Sequence, residues 1–219
     1  MLSKYEIKRI AGAIISFTES NTKNKQEKHI EQSESESTLS LDQVASRIES
    51  LWRQIQDKQS CKFVIRIPKL LQSLIAFVTF RLGAHLNEQT DLLRLEVRYQ
   101  SRECLQQIQV YGDAYVQSVL VNNEYGRVMT LTFCTAGGVC EEDDLKICDG
   151  LSCISIFLRQ LRYGRNEWYP SFQPLPLLAR VSLEQIEEEG AIEEIEAQMN
   201  NKGYNGDIKG QAKMSKLRH

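Results

Sequence analysis

Glycine and proline are scarce in this 219-residue chain, at 12 and 4. That excludes collagen-like, proline-rich and turn-dense all-β chains. Net charge is also small: 27 Lys and Arg stand against 29 Asp and Glu, for −2 at pH 7. A balance so near neutral gives no global electrostatic argument for DNA, RNA or an anionic lipid surface. Long apolar runs are missing as well. The most apolar stretch, Leu74 to Phe80, is flanked by Arg66, Lys69 and Arg81. It is far short of the roughly 20 residues a membrane-crossing helix needs. The apolar patch from Ile10 to Ile15 is interrupted by Gly12 and preceded by Lys4, Lys8 and Arg9. A signal peptide needs a longer apolar region and a small-residue cleavage site. The expectation is a soluble cytoplasmic protein with no membrane and no nucleic-acid partner.

Metal and nucleophile signatures are lacking too. The six cysteines are Cys61, Cys104, Cys134, Cys140, Cys148 and Cys153, and no pair has the C-x-x-C spacing. The last four are spaced unlike the ligands of a zinc site. Without a secretory signal, they read as reduced thiols used as small apolar side chains. The three histidines stand apart: His29 in a polar stretch, His85 in an expected loop and His219 at the end. No metal, cofactor, catalytic centre or small-molecule substrate is expected.

What is present is a globular composition, 42% hydrophobic and 26% charged, with helical periodicity in many segments. Residues 3–17 fit a short amphipathic helix. Residues 18–40 are rich in Ser, Glu, Lys, Asn and Gln and read as a flexible linker, with a phosphorylatable "SESES" run as a minor reading. A helix then starts at a Ser40 or Asp42 cap. Its apolar residues Val44, Ile48, Leu51, Trp52 and Ile55 share one face. A further helix is expected to open at Ile67-Pro68, with proline at the first helical position. Residues 83–91 read as a loop. Beyond 140, acidic residues Glu141 to Asp144 precede a helix whose apolar face is Ile154, Phe157, Leu158 and Leu161. Pro174 and Pro176 open another helix, Gly190 breaks it, and Ile192, Ile195 and Met199 mark the next.

Residues 92–133 are ambiguous. "LRLEVRY" and "VMTLTF" are rich in β-branched and aromatic residues and suggest strands. Yet Leu105, Ile108 and Tyr111, then Val116, Val119 and Leu120, also fit helices. A small α/β protein with an antiparallel sheet here is therefore the second reading. It would allow a cysteine-dependent enzyme with Cys134, Cys140 or Cys148 near a cleft.

The chain also resembles itself. "GAIEEIEAQM" (190–199) aligns with "DGLSCISIFL" (149–158) at an offset of 41, so that Ile192, Ile195 and Met199 meet Leu151, Ile154 and Leu158. "IRIPKLLQSL" (65–74) fits the same pattern through Ile67, Leu70 and Leu74, and 111–120 fits it through Val116 and Leu120. The second apolar slot falls at 70, 116, 154 and 195, a spacing typical of two- or three-helix repeats.

With that pattern, "EEEGAIEEIEAQMNNKGYNGDIKGQAKMSKLRH" (187–219) resembles the armadillo repeat family, which blurs into HEAT repeats. In the family's order, Gly190 is a turn, Ala191 to Asn200 a long third helix, Asp207 to Gln211 a short first helix and Ala212 to Leu217 a second helix. "IPKLLQSL" resembles the start of a third helix. The resemblance is strongest over 149–219, partial at 65–80 and weak at 90–140. It implies an all-α fold: a short α-solenoid of armadillo-like repeats over 41–219. There would be about four units, the last incomplete. Residues 1–40 would be an N-terminal helix and a disordered polar linker. Stacked units bury together what one cannot bury alone.

The resemblance also implies a non-enzymatic scaffold that binds a partner protein or extended peptide in a concave groove. Positions one residue after the core slots would line it: Gln117, Val121, Ser155, Arg159, Glu196 and Asn200, with Arg162 extending the same row. The tryptophan and asparagine rows that armadillo proteins use for basic peptides have no counterpart, since Trp52 and Trp168 lie off these positions. A second candidate surface is the acidic run Glu184, Glu187, Glu188, Glu189, Glu193, Glu194 and Glu196, which would suit a basic partner. A truncated repeat fragment without an independent role is the third reading.

Overall fold

The structure is a computed structural model, and it describes residues 4–26, 40–56, 58–79, 88–131, 144–166, 170–199 and 207–216. It is all-α: helices make up most of the chain, and the one β feature among the described residues is an isolated antiparallel bridge between Arg165 and Phe172. The chain divides into two compact units, Met1–Tyr111 and Gly112–His219. This boundary falls inside the 41–219 span that the sequence suggested as one repeat domain.

The first unit contains α1 (Lys4–Gln26), α2 (Leu41–Gln54), α3 (Lys58–Val64), α4 (Leu70–Val78) and α5 (Glu88–Tyr111). α2 and α4 each pack against both α1 and α5, and α3 packs on α5. α1 is longer than the short helix expected from residues 3–17. Ile7, Ile10, Ala11 and Ile14 are buried and anchor it. Once nucleated, a helix extends at little cost through residues of modest propensity. Of the expected linker, 18–26 is therefore helical and 27–39 lies outside the described residues.

Ser40 caps α2 through a reciprocal pair. The Gln43 backbone N–H donates to Ser40 Oγ at 3.3 Å, and the Ser40 N–H donates to Gln43 Oε1 at 3.2 Å. Val44, Ile48 and Leu51 are fully buried, as their spacing predicts. The helix expected at Ile67-Pro68 begins two residues beyond Pro68, at Leu70. The chain first turns through 65–69, with Lys69 in the left-handed region at φ 66°. The fixed φ of proline serves the turn there instead of the first helical position.

Across 92–131 the strand reading is overturned. α5 covers 88–111, and Val97, Cys104, Leu105 and Ile108 form its buried face. β propensity is a preference for a pleated, half-buried surface, and helical burial outweighs it here. Two thiols tie α5 to its neighbours. Cys61 of α3 donates to the Ile108 carbonyl at 3.4 Å, and Cys104 donates to the Ile48 carbonyl of α2 at 3.5 Å.

The second unit contains α6 (Ala114–Asn122), α7 (Tyr125–Thr130), α8 (Asp144–Tyr163), α9 (Pro176–Glu188), α10 (Ala191–Gln198) and α11 (Asp207–Lys216). Asp113 caps α6 by accepting the Val116 N–H at 3.2 Å. Pro176 occupies the first turn of α9, and Gly190 takes the left-handed turn between α9 and α10 at φ 74°. α8 packs with α7, α9 and α11, and α10 packs with α9 and α11. α11 is one continuous helix, where the family's order suggested a short helix followed by a second. Gly210 lies within it; a single helical glycine costs about 1 kcal/mol, a cost that packing against α8 and α10 offsets.

The apolar slots of the repeat are recovered unevenly. Leu70, Leu74, Val116, Leu120, Leu151, Ile154, Leu158 and Ile195 are buried. Ile67 and Met199 are half-buried, and Ile192 is exposed.

Candidate protein-binding face

The expected row begins on α6 and α8. Gln117 and Val121 are fully buried, and Gln117 Nε2 donates to the Gly112 carbonyl at 3.2 Å. Ser155 is 2% exposed. These three do not line a surface. The physical reason is the helices around them: α6 packs with α7 and α9, and α8 packs with α7, α9 and α11. At these three positions, stepping one residue beyond a core slot, about 100° around the axis, stays within the packed face.

Arg159, Arg162 and Glu196 are exposed, and Asn200 lies outside the described residues. The solvent strip of α8 runs through Ser152, Ile156, Arg159 and Tyr163, at steps of four, three and four residues. Ile156 is 37% exposed and Tyr163 67% exposed, with Arg162 beside them. Ile156 and Tyr163 were not among the expected site residues. Their signal is nonetheless in the sequence, because both are large apolar residues out of phase with Leu151, Ile154, Phe157, Leu158 and Leu161.

The strip is held on a rigid support. Phe157, on the opposite side of α8, meets Tyr125 of α7 edge-on with ring centroids 4.8 Å apart. At the C-terminal end of α8, Arg165 is 6% exposed and organises the turn into α9. Its Nε and Nη2 donate to the Pro170 carbonyl at 3.1 and 3.0 Å, and its Nη1 donates to Gln160 Oε1 at 3.3 Å. Nη2 also donates to the Gly112 carbonyl. The guanidinium lies 4.7 Å from the centre of the Phe172 ring. The backbone of Arg165 exchanges two hydrogen bonds with Phe172, at 2.9 and 3.0 Å. Gly164 makes this approach possible: its φ is +77°, and a Cβ there would lie 2.7 Å from the Phe172 carbonyl oxygen.

The acidic run does not form one uniform face. Glu189 pairs with Arg127, and Glu184 pairs with Arg180 at 3.0 Å. Glu194 is buried and accepts from Gln198 Nε2 at 2.7 Å. Glu187, Glu188, Glu193 and Glu196 remain exposed. The described cysteines, Cys61, Cys104, Cys148 and Cys153, are all buried. Burial is the main cause that raises the Cys104 thiol well above the ordinary cysteine range, with the Glu103 carboxylate adding to it. Cys134 and Cys140 lie outside the described residues. No group of three or more His, Cys, Asp or Glu that could hold a metal ion occurs among the described residues. Nor is any described helix long and apolar enough to cross a membrane. Comparison with protein-family models, with curated proteins and with solved structures gives no match.

Proposed function

We propose that this protein is a non-enzymatic interaction scaffold that engages a partner protein through the solvent strip of α8. The observation that carries this reading is the sequence Ile156, Arg159, Tyr163 along one line of a helix packed against three others. Tyrosine and arginine dominate the residues that supply binding energy at protein interfaces. Arg159 offers a planar fork for a carboxylate, and Ile156 and Tyr163 supply apolar area on either side of it. A strip on a packed helix loses little conformational freedom on binding, which favours affinity. The partner face is expected to be apolar with an acidic centre.

The repeat character belongs to the same proposal. The apolar slots at 70, 116, 154 and 195 are all buried, as a helical-repeat design requires. α8 and α10, which the 41-residue offset equates, share α9 and α11 as neighbours. An armadillo-like or HEAT-like stack is the architecture we infer from this, and a cytoplasmic location belongs to the same proposal.

The test is quantitative capture of partners from cell extract by the full chain, by Arg159→Glu and by Tyr163→Ala. A partner held by the wild type should be lost about tenfold or more with either variant, while thermal stability stays within about 0.5 kcal/mol. Equal capture by all three chains would remove α8 from the interface and leave the exposed glutamates of α9 and α10 as the next surface to test.

A further inference from the structure

The near-neutral charge of the whole chain hides a partition. The first unit carries 16 Lys and Arg against 13 Asp and Glu, a net of +3, and the second carries 11 against 16, a net of −5. Within the first unit, basic side chains gather where the start of α1 meets α3. The ammonium groups of Lys4 and Lys8 lie 5.9 and 6.0 Å from the centre of the same Phe63 ring. Arg66 follows Phe63 in the turn after α3 and is exposed, as is Arg9. Among the described residues, none of Lys4, Lys8, Arg9 and Arg66 forms an ion pair. Tyr5 is 76% exposed. It shares the solvent side of α1 with Lys8, Arg9 and Gly12, opposite the buried Ile7, Ile10, Ala11 and Ile14.

We propose that this patch docks the first unit on an anionic phospholipid surface. Glu6 lies in the first turn of α1, but among the described residues none of the four cations is in an ion pair, and holding them near one another costs electrostatic repulsion, which an external sheet of negative charge relieves. A bilayer surface needs no cleft and no fixed register from its ligand. Loosely clustered cations suffice, and each strengthens attachment about fivefold near an anionic leaflet. Tyr5 suits the interface, where an amphipathic ring rests at headgroup depth. A single-stranded nucleic acid fits less well. It uses aromatic faces as stacking platforms, and the Phe63 ring already carries two lysine heads. The patch belongs to the first unit and the α8 strip to the second, and they share no residue, so the two proposals stand or fall independently.

The experiment is co-sedimentation of the full chain with vesicles of phosphatidylcholine alone and with about one-third phosphatidylserine. A single-stranded oligonucleotide and polyglutamate are titrated in parallel. Binding should require phosphatidylserine and fall steeply as salt rises, since the charges involved are exposed. Lys8→Gln/Arg9→Gln/Arg66→Gln should weaken it by about 100-fold. Lys209→Gln/Lys213→Gln, at two exposed lysines of the second unit, should leave it within about threefold. A circular dichroism melt of each variant checks that the fold is kept. The proposal is overturned by absence of binding to the anionic vesicles, by undiminished binding of the triple variant, or by tighter binding to the oligonucleotide or polyglutamate than to the vesicles.

Discussion

Replacing Arg165 with alanine should destabilise the second unit by about 3 kcal/mol. The guanidinium makes hydrogen bonds to three acceptors, the carbonyls of Pro170 and Gly112 and the Gln160 side chain. Hydrogen bonds from a charged donor contribute about 1.5–3 kcal/mol each. The loss is smaller than their sum, because Gln160 is half-buried and turns to water, and one carbonyl is reached by solvent once the side chain is gone. The stacking on Phe172 adds about 1 kcal/mol. Arg165→Lys keeps the charge but not the fork, so it should lose about half as much. Urea denaturation gives the size of the change, and amide hydrogen exchange gives its place. Protection should fall across the C-terminal part of α8 and the start of α9 and stay unchanged in α5. An alanine variant within about 0.5 kcal/mol of the wild type would refute the reasoning. It would mean that the backbone pairing of Arg165 with Phe172 holds the turn without the side chain.

Other perturbations should separate core from surface along the same helices. Leu158→Ala should cost about 2–5 kcal/mol in chemical denaturation, while Ile156→Ala, two residues away and solvent-facing, should cost under about 1. Gly164→Ala should cost at least 2 kcal/mol in the same measurement, since the left-handed backbone is strained for alanine and the new methyl meets a carbonyl oxygen. The Ser40→Ala cap variant should lose about 1 kcal/mol, read from its melting curve. Cys104 has its thiol pKa raised by burial, so the unfolded chain ionises first as pH rises. Its stability contribution is complete below about pH 8.5 and declines above it; Cys104→Ser should flatten the fall in stability measured between about pH 8 and 10.

The sequence by itself determined the phase of most helices outside residues 92–133, while the class of the fold stayed open between all-α and α/β. Val44, Ile48 and Leu51, Leu70 and Leu74, Ile154, Phe157 and Leu158 recur every three or four residues. That spacing already states which side faces inward, because a helix turns 100° per residue whatever surrounds it. Caps at Ser40, Pro176 and Gly190 were legible for the same reason: their chemistry is local. Tertiary structure decided what local chemistry does not carry. Residues such as Val97 and Val128 favour strands in isolation, and only packing places them in helices. Gln117, Val121 and Ser155 look available on an isolated helix, and only the neighbours of their helices bury them. The Arg165 turn joins Gly112 to Pro170 across 58 residues of chain, a separation no periodicity reveals. The basic patch is also a product of folding. Lys4 and Lys8 reach Phe63 only because α1 and α3 meet in space, and their charges vanish into a near-neutral total until the boundary after Tyr111 is drawn.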